Sequence, residues 1–301
     1  MAYLHSDKEQ FREAIAMTYE QTGLIPQAIE KDYYVTMFLR ILADAAPYIV
    51  FKGGTSLSKC HKVINRFSED IDITIDAVLS QGQKKKVKKL IEHAADELGM
   101  VIENLDQTRS RRDYNRYIIS YESVNVGGSD ILRSSIMLET SYTEVSFPTV
   151  ILPVRSYVGD AIEKKVPKLA EDFGLTPFPM KVQGIDRTLA DKVFAVCDYY
   201  LQGRVQKHSR HIYDIYKLLP LVPQNKEFKQ LVADVRQVRA QTSICPSAQE
   251  GIDIPSLLEK IIHEDAYKGD YETLTRQLLG EDVSYGRAID ALKEIAEAGT
   301  F

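Results

Sequence analysis

The stretch FKGGTSLSKCHKVINRFSEDIDITID, residues 51–76, places a glycine pair and two aspartates within a segment the size of one strand–helix–strand unit. YIVFKG, residues 48–53, is a short apolar run that ends at glycine, which is typical of a buried strand. The following TSLSKCHKVI predicts a helix that begins at Thr55 or Ser56, because hydroxyl side chains cap helix N-termini. DIDITID then alternates with a period of two and predicts a second strand.

The alternation in the second strand determines which side chains share a face. Asp70, Asp72, Thr74 and Asp76 are expected on one face, and the intervening isoleucines on the other. Like charges this close together favour a bound cation or a raised pKa. Mg²⁺ or Mn²⁺ fits this position, since these ions take oxygen ligands and share their coordination with substrate phosphates. The sequence therefore predicts a divalent metal at Asp70 and Asp72.

The glycine pair predicts an anion site beside that metal. Glycine lets the backbone approach a phosphate closely, and a helix N-terminus offers unpaired N–H groups. A glycine pair alone is more often a plain turn, and a pair of aspartates alone is more often solvated charge. The order strand, glycine turn, helix, acidic strand is much rarer than either. We expect the turn residues to bind nucleotide phosphates: Gly53, Gly54, Thr55 and Ser56.

The rest of the chain changes character near GLTPFPMKVQG, residues 174–184, which is rich in proline and glycine. Before it, the pattern predicts two helices in the first ~45 residues, a helix at 83–99 and strands at 114–122, 134–142 and 149–158. Beyond it, the apolar spacing is helical. The prediction is an α+β fold with a mixed sheet in residues 1–178 and a helical domain in residues 179–301.

Composition narrows the class of protein. The chain has 301 residues, 44% of them hydrophobic, and its 38 basic and 43 acidic residues give a net charge of -5, which argues against a strongly basic non-specific nucleic-acid binder. Cys60, Cys197 and Cys245 are far apart, which predicts buried free thiols in a reducing compartment. No apolar run approaches the ~18 residues of a membrane span. We expect a cytoplasmic protein with no membrane partner.

The central motif also resembles a known family. FKGGTSLSK and RFSEDIDI are similar to the first motif of the AbiEii/AbiGii toxin nucleotidyltransferases, a MenT-like group within the DNA polymerase β-type superfamily. IEKDYY at 29–34, LADKVFAVCDYY at 189–200 and SRHIYDIYKLL at 209–219 extend the resemblance to roughly residues 25–220. The last motif departs from the family, because Arg210 is followed by His211 where the family often has aspartate. His211 is a candidate replacement for that aspartate as an orienting group.

The resemblance implies a polymerase β-type nucleotidyltransferase core, an NTP substrate and a divalent metal. It implies a toxin of a toxin–antitoxin or phage-defence system that transfers NMP to RNA, the tRNA 3′ end in particular, and has a cognate antitoxin. The implied catalytic residues are Asp70, Asp72, Lys192, Asp214 and Glu139. Among these, Glu139 is the expected third metal ligand, with Glu144 and Asp130 as weaker candidates; Arg66, Ser68 and Lys192 are expected to contact nucleotide, with Lys192 neutralising triphosphate charge.

Other functions remain open from the residues alone. The acceptor of the same transfer is alternatively a protein or small-molecule hydroxyl, and a third hypothesis is a non-catalytic NTP-binding defence protein. Two basic runs, KKKVKK at 84–89 and RSRRDYNR at 109–116, indicate either contact with an RNA backbone or solvated faces.

Overall fold

A computed structural model describes residues 2–66, 68, 70–125 and 133–301 of the chain. The chain folds as two compact units. We call the first, Met1–Cys60 with Glu69–Val182, the sheet unit, and the second, His61–Ser68 with Gln183–Phe301, the helical unit.

The sheet unit contains both helices and strands. Its helices are α1 (Lys8–Thr22), α2 (Pro26–Ala45), α3 (Gly53–Ser56, continued by a π-helical turn at Leu57–His61), α4 (Gln81–Glu97), α5 (Tyr157–Lys165) and α6 (Pro167–Asp172). Its strands are β1 (Ile49–Lys52), β2 (Ile71–Ile75), β3 (Val101–Ile102), β4 (Tyr114–Ser120), β5 (Ser135–Val145), β6 (Thr149–Val154) and β7 (Phe178–Gln183).

Within the described residues, these strands form one seven-stranded sheet in the order β3-β4-β5-β2-β1-β7-β6. β1 and β2 are antiparallel, as are β3 with β4 and β4 with β5. β2 runs parallel to β5, and β1 runs parallel to β7. The prediction of an α+β fold with a mixed sheet is therefore confirmed.

The core of the sheet unit follows from the alternation of β2. Ile71, Ile73 and Ile75 are at most 1% exposed and belong to one apolar cluster with Phe38 of α2 and Ile91 of α4. Each such side chain contributes roughly 1.5–3 kcal/mol when it leaves water. The opposite face of β2 is thereby left to its polar residues.

The helix starts in the sheet unit carry local sequence signals. Asp7 caps α1 by accepting from the backbone N–H of Glu9 and Gln10, and Pro26 stands in the first turn of α2. Ser80 and Gln83 form a reciprocal capping box at the start of α4. The predicted helices of the first ~45 residues and of residues 83–99 are confirmed.

One strand predicted in the sheet unit was too long. The strand predicted at 149–158 ends at Val154, because Ser156 caps a new helix, α5, by accepting from the N–H of Gly159. The segment 174–184, where the sequence predicts the change of domain, contains β7, which pairs with β1 through Val182 and Phe51. The boundary between the two units falls within this segment, after Val182.

The helical unit consists mainly of helices, as the apolar spacing predicts. They are α7 (Ile185–Leu201), α8 (Arg210–Leu218), α9 (Lys226–Arg239), α10 (Ile254–His263), α11 (Lys268–Asp270), α12 (Arg276–Leu278) and α13 (Tyr285–Ala298). α7 is buried along most of its length, including Leu189, Val193 and Phe194 at 0% exposure. Such a helix is an inner element against which the others pack.

The three cysteines are buried, as predicted. Among the residues that the structure describes, no helix is long and apolar enough to cross a membrane.

Candidate functional site

The polar face of β2 lies opposite the buried isoleucines. Asp72 is within the strand, Asp70 directly precedes it and Asp76 directly follows it. Asp72 and Asp70 are only partly buried, in contrast to Ile71 between them. The predicted alternation of carboxylates and isoleucines is therefore present in the structure.

Sheet register extends this face into a row of charges. Lys52 of β1 lies opposite Asp72 of β2, Asp72 lies beside Glu139 of β5, and Glu139 lies opposite Arg116 of β4. Paired residues of neighbouring strands share a face of the sheet, about 5 Å apart. We call Lys52, Asp72, Glu139 and Arg116 the charged row. In this row, two anions lie between two cations.

Glu139, the expected third carboxylate, already has an ion pair. Its Oε1 accepts from Arg116 Nε at 2.8 Å and lies 2.7 Å from Arg116 Nη2. Burial and the Glu139 carboxylate raise the pKa of the nearby Tyr114 to about 12. The structure thus places Glu139 one strand from Asp72 and bound to Arg116.

The alternatives to Glu139 are not described in the same detail. Asp130 lies outside the described residues. Glu144 belongs to β5, at the far end from Glu139, and only its backbone is described.

The glycine turn contacts the charged row, with Gly53 against the side chain of Asp72. Gly53 has φ of +78°, and a Cβ added to it would lie 2.0 Å from Asp72 Oδ2. Only glycine combines that backbone conformation with that approach. The turn and the acidic strand, which the sequence separates by nearly 20 residues, are thus in van der Waals contact.

The helix after the turn begins earlier than predicted. α3 starts at Gly53 with Lys52 in the cap position, and the expected caps Thr55 and Ser56 are inside it and buried. Ser56 Oγ donates instead to the Gly53 carbonyl at 2.9 Å. The hydroxyl therefore stabilises the turn, and contact of residues 53–56 with nucleotide stays a prediction.

Substitution of Gly53 tests the contact between the turn and the carboxylate. Gly53→Ala is expected to lower nucleotidyl transfer by about 100-fold, because a displacement of reacting groups by about 1 Å costs that much. Gly23→Ala is the matched control: its φ is +71°, but nothing lies within 4 Å of the added Cβ. Both variants carry a φ cost of roughly 1–2 kcal/mol in thermal unfolding. Equal transfer rates in the two variants would contradict the proposed role of the contact.

The donor set on β2 suits a hard divalent cation. Asp70, Asp72 and Glu139 offer oxygen ligands only, which is the preference of Mg²⁺ and Mn²⁺. Among the described residues, however, no three His, Cys, Asp or Glu side chains are grouped as a metal would require. Glu139 is not grouped with the two aspartates because its carboxylate is bound to the guanidinium of Arg116. The residues fit the ion in type and register, and a side-chain rearrangement of Glu139 would complete the set.

A second group of predicted residues comes together inside the helical unit. Arg66 Nε and Nη2 donate to the two oxygens of Asp214 at 2.6 and 2.8 Å, and Lys192 Nζ lies 2.7 Å from Asp214 Oδ2. Asp214 is completely buried, and the side chains of Arg66 and Lys192 are 1% and 8% exposed. We call Arg66, Lys192 and Asp214 the buried triad.

Electrostatics within the triad favour a positive surplus. Burial alone would raise the pKa of Asp214, but Arg66 and Lys192 hold it well below its usual value. Burial lowers the pKa of Lys192, and the nearby Arg66 and Arg210 add to the decrease against the opposing effect of Asp214. Two cations, Arg66 and Lys192, thus share the one carboxylate of Asp214.

His211, the departure from the family motif, is next to the triad. Burial and the neighbouring cations Lys192 and Arg210 lower the pKa of His211 well below 6.5, which keeps the ring neutral. Lys192 Nζ lies 3.3 Å from His211 Nδ1. An ammonium group only donates, so Nδ1 is the acceptor. This is the position of an orienting group for Lys192.

Arg66 and Ser68 are the two residues before Asp70 that were predicted to contact nucleotide. Arg66 is fully engaged by Asp214, so its predicted contact with nucleotide stays a prediction, and the ion pair is its structural role. Ser68 belongs to the helical unit and is partly buried. Its contact with nucleotide also stays a prediction.

The IEKDYY motif has a structural role that the sequence did not reveal. Glu30 is 1% exposed and accepts from the Val124 N–H at 2.7 Å and from Ser123 Oγ at 2.6 Å. Asp32 pairs with Lys59, in the helical turn after the glycine pair, and accepts from the Tyr157 N–H at 2.9 Å. α2 therefore anchors the segment that carries the glycine turn. Paired acids in a helix are usually solvent-exposed, so only the tertiary contacts show this.

Comparison with known proteins shows the family and the fold of this chain. A family model described as nucleotidyl transferase AbiEii toxin, type IV toxin–antitoxin system, matches residues 38–297. No curated protein matches the chain. Among solved structures, MenT4, a nucleotidyltransferase toxin from Mycobacterium tuberculosis H37Rv, is similar with a TM-score of 0.59 and 14% identity, over 94% of this chain and 88% of that one. At this identity the likeness to MenT4 concerns the fold.

Proposed function

We propose a specific reaction from the premise that this chain belongs to the AbiEii family of nucleotidyl transferase toxins of type IV toxin–antitoxin systems. The chain is accordingly a nucleotidyltransferase, and its family implies a nucleotide substrate and a cognate antitoxin. The proposed reaction transfers NMP from an NTP to a hydroxyl of RNA, the tRNA 3′ end in particular. The acceptor oxygen forms a bond to the α-phosphorus, the bond from that phosphorus to the bridging oxygen breaks, and pyrophosphate leaves.

The contact between Gly53 and Asp72 is the observation that carries the proposal. The turn at Gly53 leaves no room for a Cβ and packs on Asp72. This contact supports the proposal, because the turn is the proposed phosphate-binding element and Asp72 is a proposed metal ligand. Asp70 and Asp72, with Glu139 after its release from Arg116, would hold Mg²⁺ or Mn²⁺. When bound, that ion neutralises phosphate charge and polarises phosphoryl oxygens.

The chain's own residues contribute positioning and charge. The backbone of residues 53–56 would orient the triphosphate, and the fixed row of β-strand side chains would keep Asp72 in place. Lys192 is proposed to neutralise phosphate charge. The cationic surplus around Asp214 supports this, because an additional anion would reduce repulsion among Arg66, Lys192 and Arg210.

The biological consequence follows from the acceptor. A nucleotide added to the tRNA 3′ end blocks aminoacylation and hence translation, which is a means by which a toxin arrests growth. We propose that the protein acts in the cytoplasm, where tRNA and NTPs are found. We also propose that its antitoxin stops inhibiting it during phage infection, so that the pair serves in phage defence.

A labelling assay tests the reaction. Purified protein is incubated with Mg²⁺, total bacterial tRNA and each α-³²P-labelled NTP in turn, beside the Asp70→Asn/Asp72→Asn variant, and the products are separated on a denaturing gel. Label on tRNA with the wild type alone is the expected result and identifies the donor. Label on protein or on a small molecule would show that the acceptor is not RNA. If NTP binds but no acceptor is labelled, the result would favour a non-catalytic role.

A further inference from the structure

The two basic runs of the sequence meet on one surface of the sheet unit. Lys84 of α4 forms an ion pair with Asp113, and Lys88 donates to the Thr108 carbonyl and hydroxyl at 3.0 and 3.1 Å. These bonds fix the first turns of α4 against the segment that leads into β4. We call residues 84–89 together with 109–116 the basic surface.

The charge of this surface contrasts with that of the chain. It contains five lysines in 84–89 and four arginines with one aspartate in 109–116, whereas the whole chain has a net charge of -5. The two lysines that make the joining bonds, Lys84 and Lys88, are largely covered, but most of the other cations are exposed. The exposed cations are Lys85, Lys86, Lys89, Arg109, Arg111, Arg112 and Arg116.

The basic surface leads into the charged row. Arg116, 54% exposed, is the last cation of the 109–116 run and also the partner of Glu139. Glu139 lies beside Asp72, which contacts the Gly53 turn. A polyanion that followed the basic surface would therefore arrive, at Arg116, two strands away from Asp72.

We propose that the basic surface binds the phosphate backbone of the RNA acceptor; this deepens the proposed function and rests on it. RNA fits better than an acidic protein. The one aliphatic residue of the two runs, Val87, is buried, whereas a protein interface needs an apolar core. Exposed Lys and Arg without that core are what a phosphate backbone requires. Tyr114, half exposed beside Arg116, adds an aromatic face for a base.

Binding measurements without catalysis test this surface. Fluorescent tRNA is titrated in EDTA, without NTP, at several salt concentrations, with wild type, Lys85→Gln/Lys86→Gln/Lys89→Gln and Arg111→Gln/Arg112→Gln. These positions avoid Lys84, Lys88 and Arg116, whose bonds join the surface or hold Glu139. Each phosphate interaction that a variant removes is expected to reduce the slope of log K against log salt by roughly 0.7–0.9, and affinity at about 0.1 M salt should fall at least tenfold.

A variant on another helix is the matched control. Lys164→Gln/Lys165→Gln removes two exposed lysines of α5 and should leave affinity and salt slope unchanged. Thermal unfolding checks that all variants fold.

The outcomes separate this surface from the proposed reaction. Wild-type affinity and slope in both basic-surface variants would overturn the inference, as would an equal loss in the control. Loss of binding to purified cognate antitoxin with RNA affinity kept would assign the surface to an acidic protein and also overturn it. If the labelling assay marks protein while the variants lose RNA affinity, the proposed acceptor fails and the RNA surface stands.

Discussion

Asp72→Asn is expected to slow nucleotidyl transfer roughly 10³-fold while the fold survives. Asparagine has the shape of aspartate, so the contacts of Asp72 with the Gly53 turn and its place in the charged row are kept, but the negative charge is removed. A metal ion stabilises transition-state charge by several kcal/mol, and about 4 kcal/mol corresponds to this factor. The initial rate is measured with labelled NTP on the acceptor that the wild type labels.

Asp76→Asn provides the control for Asp72. Asp76 follows the same strand on the same face, but it forms an ion pair with Lys181. We expect this variant to transfer nucleotide within about twofold of the wild-type rate, because Asp76 pairs with Lys181 and lies at the other end of β2 from the Gly53 turn. A near-normal rate in Asp72→Asn, or an equal loss in Asp76→Asn, would refute a metal-binding role for Asp72.

Asp214→Ala is expected to destabilise the helical unit by about 3–5 kcal/mol. The substitution removes the carboxylate that pairs with both Arg66 and Lys192, and breaking a buried ion pair costs this much because a buried charge loses its compensation. Urea unfolding followed by far-UV circular dichroism measures the loss, since the helices of this unit give a strong signal.

The pH dependence of unfolding identifies the cause of that loss. Arg66 and Lys192 hold the pKa of Asp214 below its unfolded value, which is about 4. The carboxylate therefore stabilises the folded state above pH about 4, and this contribution is lost as the pH falls through the lower folded pKa. Below pH about 4 the wild type should lose stability more steeply than Asp214→Ala.

Glu281→Gln is the control for Asp214. Glu281 pairs with Lys217 in the same unit, but both side chains are about 30% exposed, so water screens the pair. The expected cost is under about 1 kcal/mol. If Asp214→Ala costs no more than Glu281→Gln, the triad does not hold the unit together.

The family and the fold class predicted from the sequence were confirmed because their signals are local. Asp70, Asp72 and the isoleucines between them alternate within seven residues, and that short pattern determines a half-buried strand whatever lies beside it. The glycine pair before a helix is equally local. Local signals did not reveal β7, because its pairing partner in β1, Phe51, is far away in the sequence.

What the sequence by itself determined is the alternation that places Asp72 opposite the apolar core, the glycine turn, the helices and the family. Only the tertiary structure decided the partners: Gly53 against Asp72, Arg116 on Glu139, Arg66 and Lys192 on Asp214, and the joining of the two basic runs. Propensity and periodicity act within a few residues, whereas register and burial bring together residues such as Arg66 and Asp214, which are 148 positions apart. Charged residues can therefore be identified in the sequence, but the fold determines which residue of opposite charge each one pairs with.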